Sequence, residues 1–495
     1  MSAHKAEKPD PKNWTLAGSS WAGAWKVFAG IGVLGCVGAG AGFASDQRRF
    51  AFSWLFAFIT VLTITLGALF FVIIQRLVSA GWSVTVRRTA ENLSLGFIPL
   101  AVLFIPVLVC MGHLFPWLGE HANEPADNAA PAHHTSIGDT LIKPAYAQPH
   151  APPGPNGEPQ TEGPPGADPH AGTRGRPPHG EILANPDAHA APAGAPHAGG
   201  HAAHGPMGDP HAIIEREVLK AKAPYLNKSF FLIRVAIYFL VWIFLSMRMY
   251  NLSTQQDKSK DPNLTLKAQW LAPPSTFLFG LTLTFAAFDW IMSLEPTWFS
   301  TIFGVVIFAS GVVSSYAVLI LVTLSLRNAG PLKGAVTIEH YHDLGKLMFG
   351  FLVFWAYVQF SQFMLIWYAA LPEETTFFHN RWDFAPWKNV SLAIILVGFV
   401  LPFFWTISRW FKRNTDRLRI GAFIVLVMHV VDMYWYVMPN YLLGKEGFSF
   451  HWLDAACLLG VAGIWGAFVF NRMAQHATVP IGDPRLQRSL EFQNA

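Results

Sequence analysis

Ionisable side chains are rare inside the apolar stretches of this sequence, and several of them form patterns that could carry protons. Asp289 and Glu295 lie at the end of one stretch, and His429, Asp432 and Tyr436 share one helical face of another at i, i+3 and i+7. Burying such groups is costly unless they are paired or hydrated. A histidine titrates near neutrality and can pass protons with nearby carboxylates. The pattern predicts a proton relay opening to the non-cytoplasmic side, with no catalytic residue.

A basic side chain, Arg234, lies about a turn inside a neighbouring stretch, near the same membrane face as Asp289. It could neutralise one of these carboxylates. Three interpretations stay open: an Arg–Asp pair that only holds helices together, a proton relay, and a contact to quinol.

A second charged group precedes another apolar stretch, at the opposite membrane face. Glu339, Asp343 and Lys346 share a helical face at i, i+4 and i+7. They fit a solvated helix start or a cytoplasmic entry for protons. Charged residues collect at helix starts in any case, so we favour the solvated start.

The stretch 343–376 follows, with no formal charge between 347 and 371, and we expect the chain to be organised around it. It is long enough to cross the roughly 30 Å hydrocarbon layer of a bilayer as a helix. Polar groups occur in its middle third, at Tyr357, Gln359, Ser361 and Gln362. A polar group facing lipid is unfavourable, so we expect these four to face other helices, a hydrated path or a ligand pocket.

The composition predicts an all-α, polytopic membrane protein. The 495 residues are 52% hydrophobic and 13% charged, whereas about a quarter of a soluble domain is charged. Pro99 and Pro106 predict a kink in the third span. Ten apolar spans are predicted, at 25–43, 52–74, 94–117, 229–249, 272–293, 301–325, 347–371, 389–409, 420–440 and 452–470.

Lys and Arg concentrate in the short loops on the side of the two termini, which predicts cytoplasmic termini. The resulting organisation is a tail at 1–24, three helices within 25–118, a loop at 119–212, seven helices within 213–473 and a tail at 474–495.

The loop 119–212 is rich in His, Pro, Ala and Gly and poor in large apolar residues. Such a composition cannot bury enough surface to fold, so we expect a disordered periplasmic loop. His-rich tracts can bind metals, which keeps a metal-handling function open, although we expect no metal site.

The sequence also argues against a redox centre in this chain. Cys36, Cys110 and Cys457 form no C-x-x-C pair, whereas an iron–sulfur cluster of the usual kind needs four thiolates. A haem held by two histidines needs a facing pair, and His429 alone lies deep in a span. We therefore expect no bound cofactor.

Several long stretches closely resemble the ActF-type subunits of bacterial alternative complex III, relatives of the NrfD-like polysulfide reductase membrane subunits. The resemblance touches most of the chain outside the His-rich loop. The stretches that carry it are Arg87-Arg88-Thr89-Ala90-Glu91-Asn92, Phe288-Asp289-Trp290-Ile291-Met292-Ser293-Leu294-Glu295-Pro296, Trp298-Phe299-Ser300-Thr301-Ile302-Phe303-Gly304, 343–376 and Asp483-Pro484-Arg485.

The resemblance implies ten helices containing two four-helix bundles. It implies a non-redox subunit of a respiratory quinol:cytochrome c oxidoreductase, with a proton path through it. The implied partners are a related quinol-binding NrfD-like membrane subunit, a periplasmic iron–sulfur subunit and c-type cytochrome subunits, and quinol is assigned to the related subunit. The His-rich loop departs from the family pattern, and no role for it is inherited.

Two other functions stay open. A secondary transporter would favour helices interrupted by Gly or Pro at matching places in two halves, and the sequence has no such paired pattern. A metal-handling protein would need more His, Asp, Glu or Cys ligands deep in several spans, and the sequence offers few.

Overall fold

The structure, a computed structural model, describes residues 14–120, 217–383, 385–441 and 450–494. These residues form helices and connecting turns without a strand. The predicted all-α membrane fold is confirmed. Ten helices are long and apolar enough to cross a membrane: α1 (Ala24–Ser45), α2 (Gln47–Leu77), α3 (Val84–Val109), α4 (Lys228–Ser259), α5 (Asn263–Leu294), α6 (Phe303–Ala329), α7 (Ile338–Ala369), α8 (Pro386–Ile407), α9 (Thr415–Asn440) and α10 (Trp452–Met473).

The helices pack as two four-helix bundles, as expected. Helices α2 to α5 form the first bundle and α6 to α9 the second, and the two bundles meet where α2 packs along α6. Helices α1 and α10 pack against each other and against α2.

Both ends of the described chain lie on one side of the helices, which we call the terminal side; the opposite side is the distal side. The Thr478 amide donates to the Trp14 carbonyl at 2.7 Å. The cytoplasmic placement of the terminal side stays a prediction, and most of the His-rich loop lies outside the described residues.

Helix α2 is the centre of the fold, and the expectation that α7 organises the chain is wrong. The most apolar part of α2 is 89% buried inside the protein, against 28% for α7. Large side chains such as Trp367 and Tyr368 are exposed on the outer face of α7. Apolar surface is stable against lipid, so hydropathy cannot distinguish a central helix from a peripheral one.

Helix α3 begins at Val84, ten residues before the predicted span, because its charged first turns are buried in ion pairs. Arg87 Nη2 lies 2.5 Å from Asp483 Oδ2, and Arg87 Nε lies 3.2 Å from Glu91. Arg88 pairs with Glu91 and with Asp257 of α4. With Arg76 of α2 these residues form the arginine network, consisting of Arg76, Arg87, Arg88, Glu91, Asp257 and Asp483.

Asp483 makes the arginine network sensitive to acid. Burial alone raises the pKa of this carboxyl, but Arg87, the Arg485 amide and Arg76 outweigh burial and lower the pKa from 3.8 to about 2. Since the folded pKa is the lower one, ionised Asp483 stabilises the fold above about pH 4, and this contribution is lost as the pH falls towards about 2.

We expect acid to reduce the difference in stability between the wild-type protein and Asp483→Asn, which lacks the titrating group. The measurement is the thermal denaturation midpoint of both proteins in detergent, from pH 6 down to about pH 2. A difference that stays constant over this range would contradict the assignment.

The predicted kink in α3 is confirmed. The helix is divided into shorter segments, among them Phe97–Leu103 and Ile105–Val109, each with a proline in its first turns. A proline cannot donate a backbone hydrogen bond and clashes with the preceding turn, so the helix axis changes direction there.

Glycines allow α1 and α10 to pack backbone against backbone. A Cβ atom at Gly35 would collide with the backbone nitrogen of Gly460 in α10, whereas a Cβ atom at Gly40 would meet nothing within 4 Å. We expect Gly35→Ala to lower stability by about 1–3 kcal/mol through overpacking. Gly40→Ala is the matched control and should be neutral or slightly stabilising. Thermal denaturation of the two purified variants tests this, and equal midpoints would refute it.

Candidate functional site

A buried polar cluster surrounds His429, where α2, α6 and α9 meet. His429 Nδ1 lies 3.0 Å from Ser310 Oγ, and Ser310 Oγ donates to Asp432 Oδ2 at 2.7 Å. His429 Nε2 lies 2.9 Å from Thr63 Oγ1 and 3.4 Å from the Thr60 carbonyl. An acceptor therefore faces each ring nitrogen, and the imidazole can hold a proton on either side. We call His429, Asp432, Ser310 and Thr63 the proton cluster.

Asp432 is buried without a cation. It is 2% exposed, and no salt bridge to it occurs in the part of the chain that the structure describes. An unpaired carboxylate in an apolar interior is costly, whereas the protonated acid is not. The balance between the protonated and the ionised form of Asp432 therefore depends on which polar or charged groups lie next to it.

The indole of Trp355 from α7 lies beside Asp432. Asp432 Oδ1 and Trp355 Nε1 are both buried and close enough to interact, but neither makes a hydrogen bond of ordinary geometry. Trp355 also lines a cavity of about 760 Å³ between α7 and α8. The proton cluster is therefore separated from this cavity by one side chain.

A second polar pair lies one helical turn from Asp432 towards the distal side. The Tyr436 hydroxyl donates to Gln359 Oε1 of α7 at 2.8 Å. Beyond it, a cavity of about 10 Å³ touches Tyr436, Glu295 and Arg381. This volume is about that of a single water molecule. The polar groups thus continue from Asp432 to the distal end of the helices.

Arg381 closes the distal end of this row and was missed from the sequence. Its Nη1 donates to Glu295 Oε1 at 3.0 Å, and its guanidinium also donates to the carbonyls of Trp435 and Tyr436. Complete burial lowers the pKa of Arg381, and the Glu295 carboxylate opposes that fall. Arg381 lies between two apolar spans, and its sequence neighbours do not distinguish it from an ordinary loop arginine.

The structure places Asp289 apart from the proton cluster. Arg234 Nε and Nη2 lie 2.7 and 2.9 Å from the two Asp289 oxygens, and the Tyr238 hydroxyl donates to the same carboxylate at 2.6 Å. No described hydrogen bond or ion pair joins this group to His429. A carboxylate held by two charged hydrogen bonds is suited to holding α4 against α5, and no described contact supports the grouping of Asp289 with His429 and Asp432.

The charged group at the start of α7 makes contacts at the terminal surface. Glu339 pairs with Arg413, and Asp343 Oδ1 lies 2.5 Å from Lys346 Nζ. Lys346 is half-exposed and also donates to Asn494. Only Lys346 is well exposed, since the Glu339 and Asp343 side chains are 18% and 13% exposed, and the solvated helix start stays a prediction.

The four polar residues in the middle of α7 divide between two faces. Gln359 lines the larger cavity, and Gln362 is 3% exposed with an Oε1 atom that has no hydrogen-bond partner. Tyr357 is 66% exposed on the outer surface, and the half-buried Ser361 donates its hydroxyl to the Tyr357 carbonyl. The expectation that all four face the protein interior or a cavity was wrong for Tyr357.

Thr63, Ser310 and Trp355 were also missed. A hydroxyl in an apolar helix usually donates to the carbonyl four residues earlier, as Thr63 does to Ile59. Such a residue gives no sign in the sequence that it contacts another helix. A tryptophan in an apolar span is equally ordinary.

The described residues include no group of three or more His, Cys, Asp or Glu side chains that could hold a metal ion. Cys36, Cys110 and Cys457 are free thiols. No protein-family model matches the chain, and no curated protein is significantly similar to it.

Proposed function

We propose that this integral membrane protein is a non-redox subunit of a respiratory quinol:cytochrome c oxidoreductase and carries a proton path from the distal side to the proton cluster. The observation that carries the proposal is the buried Asp432, which has no cation and is linked through Ser310 to His429. A group of this kind inside a membrane is a functional candidate by default, because stability alone does not favour it.

The row of polar groups supports the direction of the path. Glu295 and Arg381 mark its distal end, the small cavity offers room for a water, and Tyr436 and Gln359 lead towards Asp432. Protons can pass along such a row through hydroxyls, carboxyls and water. The terminal half of the protein offers no comparable row among the described hydrogen bonds, so the path is a half-channel.

Membership of the oxidoreductase is proposed from the resemblance to ActF-type subunits. The partners would be an NrfD-like subunit that binds quinol, a periplasmic iron–sulfur subunit and c-type cytochromes, and the membrane would be a bacterial inner membrane. This chain would hold no redox centre of its own.

A secondary transporter is not favoured by the helix breaks. They occur in α3 and in α8, which contains a π-helical segment at Ile394–Val400. The second helix of one bundle and the third helix of the other are not equivalent positions, whereas an inverted repeat would pair its broken helices.

Gentle affinity purification of the full-length protein tests the proposed membership. We expect c-type haem absorption, iron and quinol:cytochrome c oxidoreductase activity to accompany the tagged chain. After stronger detergent separates the subunits, the tagged chain alone should show neither haem absorption nor stoichiometric iron. Recovery of a single chain without redox partners, under conditions that preserve other respiratory complexes, would refute the proposal.

A further inference from the structure

The cavity beside Trp355 is a candidate ligand site that the proton path does not use. It measures about 760 Å³ and lies between α7, α8 and the short helix Pro372–Trp382, with Trp435 of α9 on its inner wall. Sites for small molecules usually have volumes of about 300–1,000 Å³.

The walls of the cavity suit a flat ring. Phe360 and Phe363 of α7, Phe378 of the short helix and Phe399 of α8 all line it. Aromatic side chains stack against planar ligands in offset or edge-to-face arrangements. The α8 wall comes from the π-helical segment Ile394–Val400, and such segments occur frequently at functional sites.

The polar group at its deep end is a hydrogen-bond donor. The Gln359 Oε1 atom already accepts from Tyr436, which leaves the Gln359 amide nitrogen to donate. The Trp355 Nε1 atom is buried beside Asp432 and is not exposed to the cavity, so Trp355 lines the cavity only with its ring carbons. The Gln359 amide therefore selects a ligand that presents an acceptor, such as a carbonyl oxygen.

The charge in the lining favours a neutral ligand. Three of the lining residues are titratable: Arg381, His379 and Asp383. Glu295 and three backbone carbonyls occupy the Arg381 guanidinium. His379 Nδ1 lies 2.9 Å from Asp383 Oδ2. Ser391 is likewise engaged, since it accepts from Trp435 and donates to the Arg381 carbonyl. A phosphate would gain no unpaired cation from these groups.

Depth distinguishes a quinone from a phospholipid. Gln359 lies 10 residues before the end of α7 at Ala369. At 1.5 Å per residue, this donor is roughly 15 Å below the distal end of the helix, near the middle of a hydrocarbon layer of about 30 Å. The ester carbonyls of a phospholipid stay near the headgroups, whereas a neutral ring on an apolar tail can reach this depth.

We propose that this cavity binds a quinone of the membrane pool, with a ring carbonyl accepting from the Gln359 amide nitrogen. The inference deepens the proposed function, on which it rests for the presence of quinone, and it assigns binding only. The bound ring lies next to Trp355, which touches Asp432, so occupancy changes the surroundings of the proton cluster.

Equilibrium binding of a tritiated decyl-substituted benzoquinone to the full-length chain in nanodiscs tests the site. We expect saturable binding of one quinone per chain above the level of partition into lipid. Ala356→Trp and Ile395→Trp, which fill the cavity from α7 and from α8, should each weaken binding at least tenfold. Gln359→Leu removes the amide donor and should weaken binding about two- to tenfold.

Leu365→Trp is the matched control, because Leu365 is exposed on α7 away from the cavity lining. Its affinity should equal that of the wild type. Binding that never saturates, or equal affinities for Ala356→Trp, Ile395→Trp and Leu365→Trp, would overturn the proposal. A phospholipid retained by the wild type in native mass spectrometry and displaced by the filling variants, without quinone binding, would assign the cavity to lipid instead. The binding assay uses the isolated chain. A negative result would therefore overturn quinone binding without affecting the proton path or the membership of the complex, which are tested separately.

Discussion

Asp432→Asn is expected to leave the complex assembled and active in quinol oxidation while removing the proton transport that depends on this chain. Asparagine has nearly the shape of aspartic acid, and Ser310 can still donate to its side-chain oxygen. The amide cannot take up or release a proton, so the link between Tyr436 and His429 is lost. The stability of the variant should change by no more than about 1 kcal/mol.

The measurement is the proton-to-electron ratio of the complex in proteoliposomes, taken together with the amount of assembled complex. The ratio should fall to the value that quinol chemistry alone produces, and His429→Gln should have the same effect. Asp289→Asn is the contrasting variant, since it weakens the pair with Arg234. It should reduce assembly and leave the ratio of the surviving complex unchanged. A normal ratio in both Asp432→Asn and His429→Gln would eliminate the relay.

The second large effect is expected at Arg87, where leucine should lower the stability of the protein by about 3–5 kcal/mol. Arg87 is completely buried and pairs with Glu91 and Asp483. Removing the guanidinium leaves these carboxylates buried with less compensation, and uncompensated buried charge is among the largest costs that a single substitution causes.

Arg419→Leu provides the control for Arg87→Leu. Arg419 pairs with Asp416 at 3.7 Å, and both side chains are exposed. An exposed pair contributes little, so this variant should change stability by less than about 1 kcal/mol. Denaturation of both variants in the same detergent tests the comparison. A similar loss of stability in both variants would show that burial does not increase the contribution of Arg87 to the stability of the protein. Adding Asp483→Asn to Arg87→Leu should cost less than the sum of the two single changes.

The positions of the ten helices could be predicted because each must satisfy its own backbone in an apolar layer, which leaves a long uncharged signal. The start of α3 could not be predicted in this way. Hydropathy scores Arg87, Arg88 and Glu91 one residue at a time, whereas Asp483, the partner of Arg87, is 396 residues away in the sequence. The same limit hid the central position of α2, since packing partners are a property of the whole fold.

The candidate site was predicted in part. His429, Asp432 and Tyr436 share a face because their spacing within one helix fixes it. Their partners Ser310 and Thr63 come from other helices, and the placement of Asp289 depended on whether Arg234 reached it. Sequence periodicity shows which residues share a face of one helix. Contacts between side chains of different helices depend on tertiary packing, which periodicity does not describe.

The arginine network also has a consequence for how the chain is made. Arg87 enters the membrane 396 residues before Asp483 is synthesised. At about 5–20 residues per second, the ribosome needs roughly 20–80 s to supply that partner. Until then three arginines, Arg76, Arg87 and Arg88, share the single carboxylate of Glu91, with Asp257 arriving midway. The nascent first bundle therefore carries more positive than negative charge at its terminal end until Asp483 is added, so this end of the bundle reaches its final packing only after the last helix has been made.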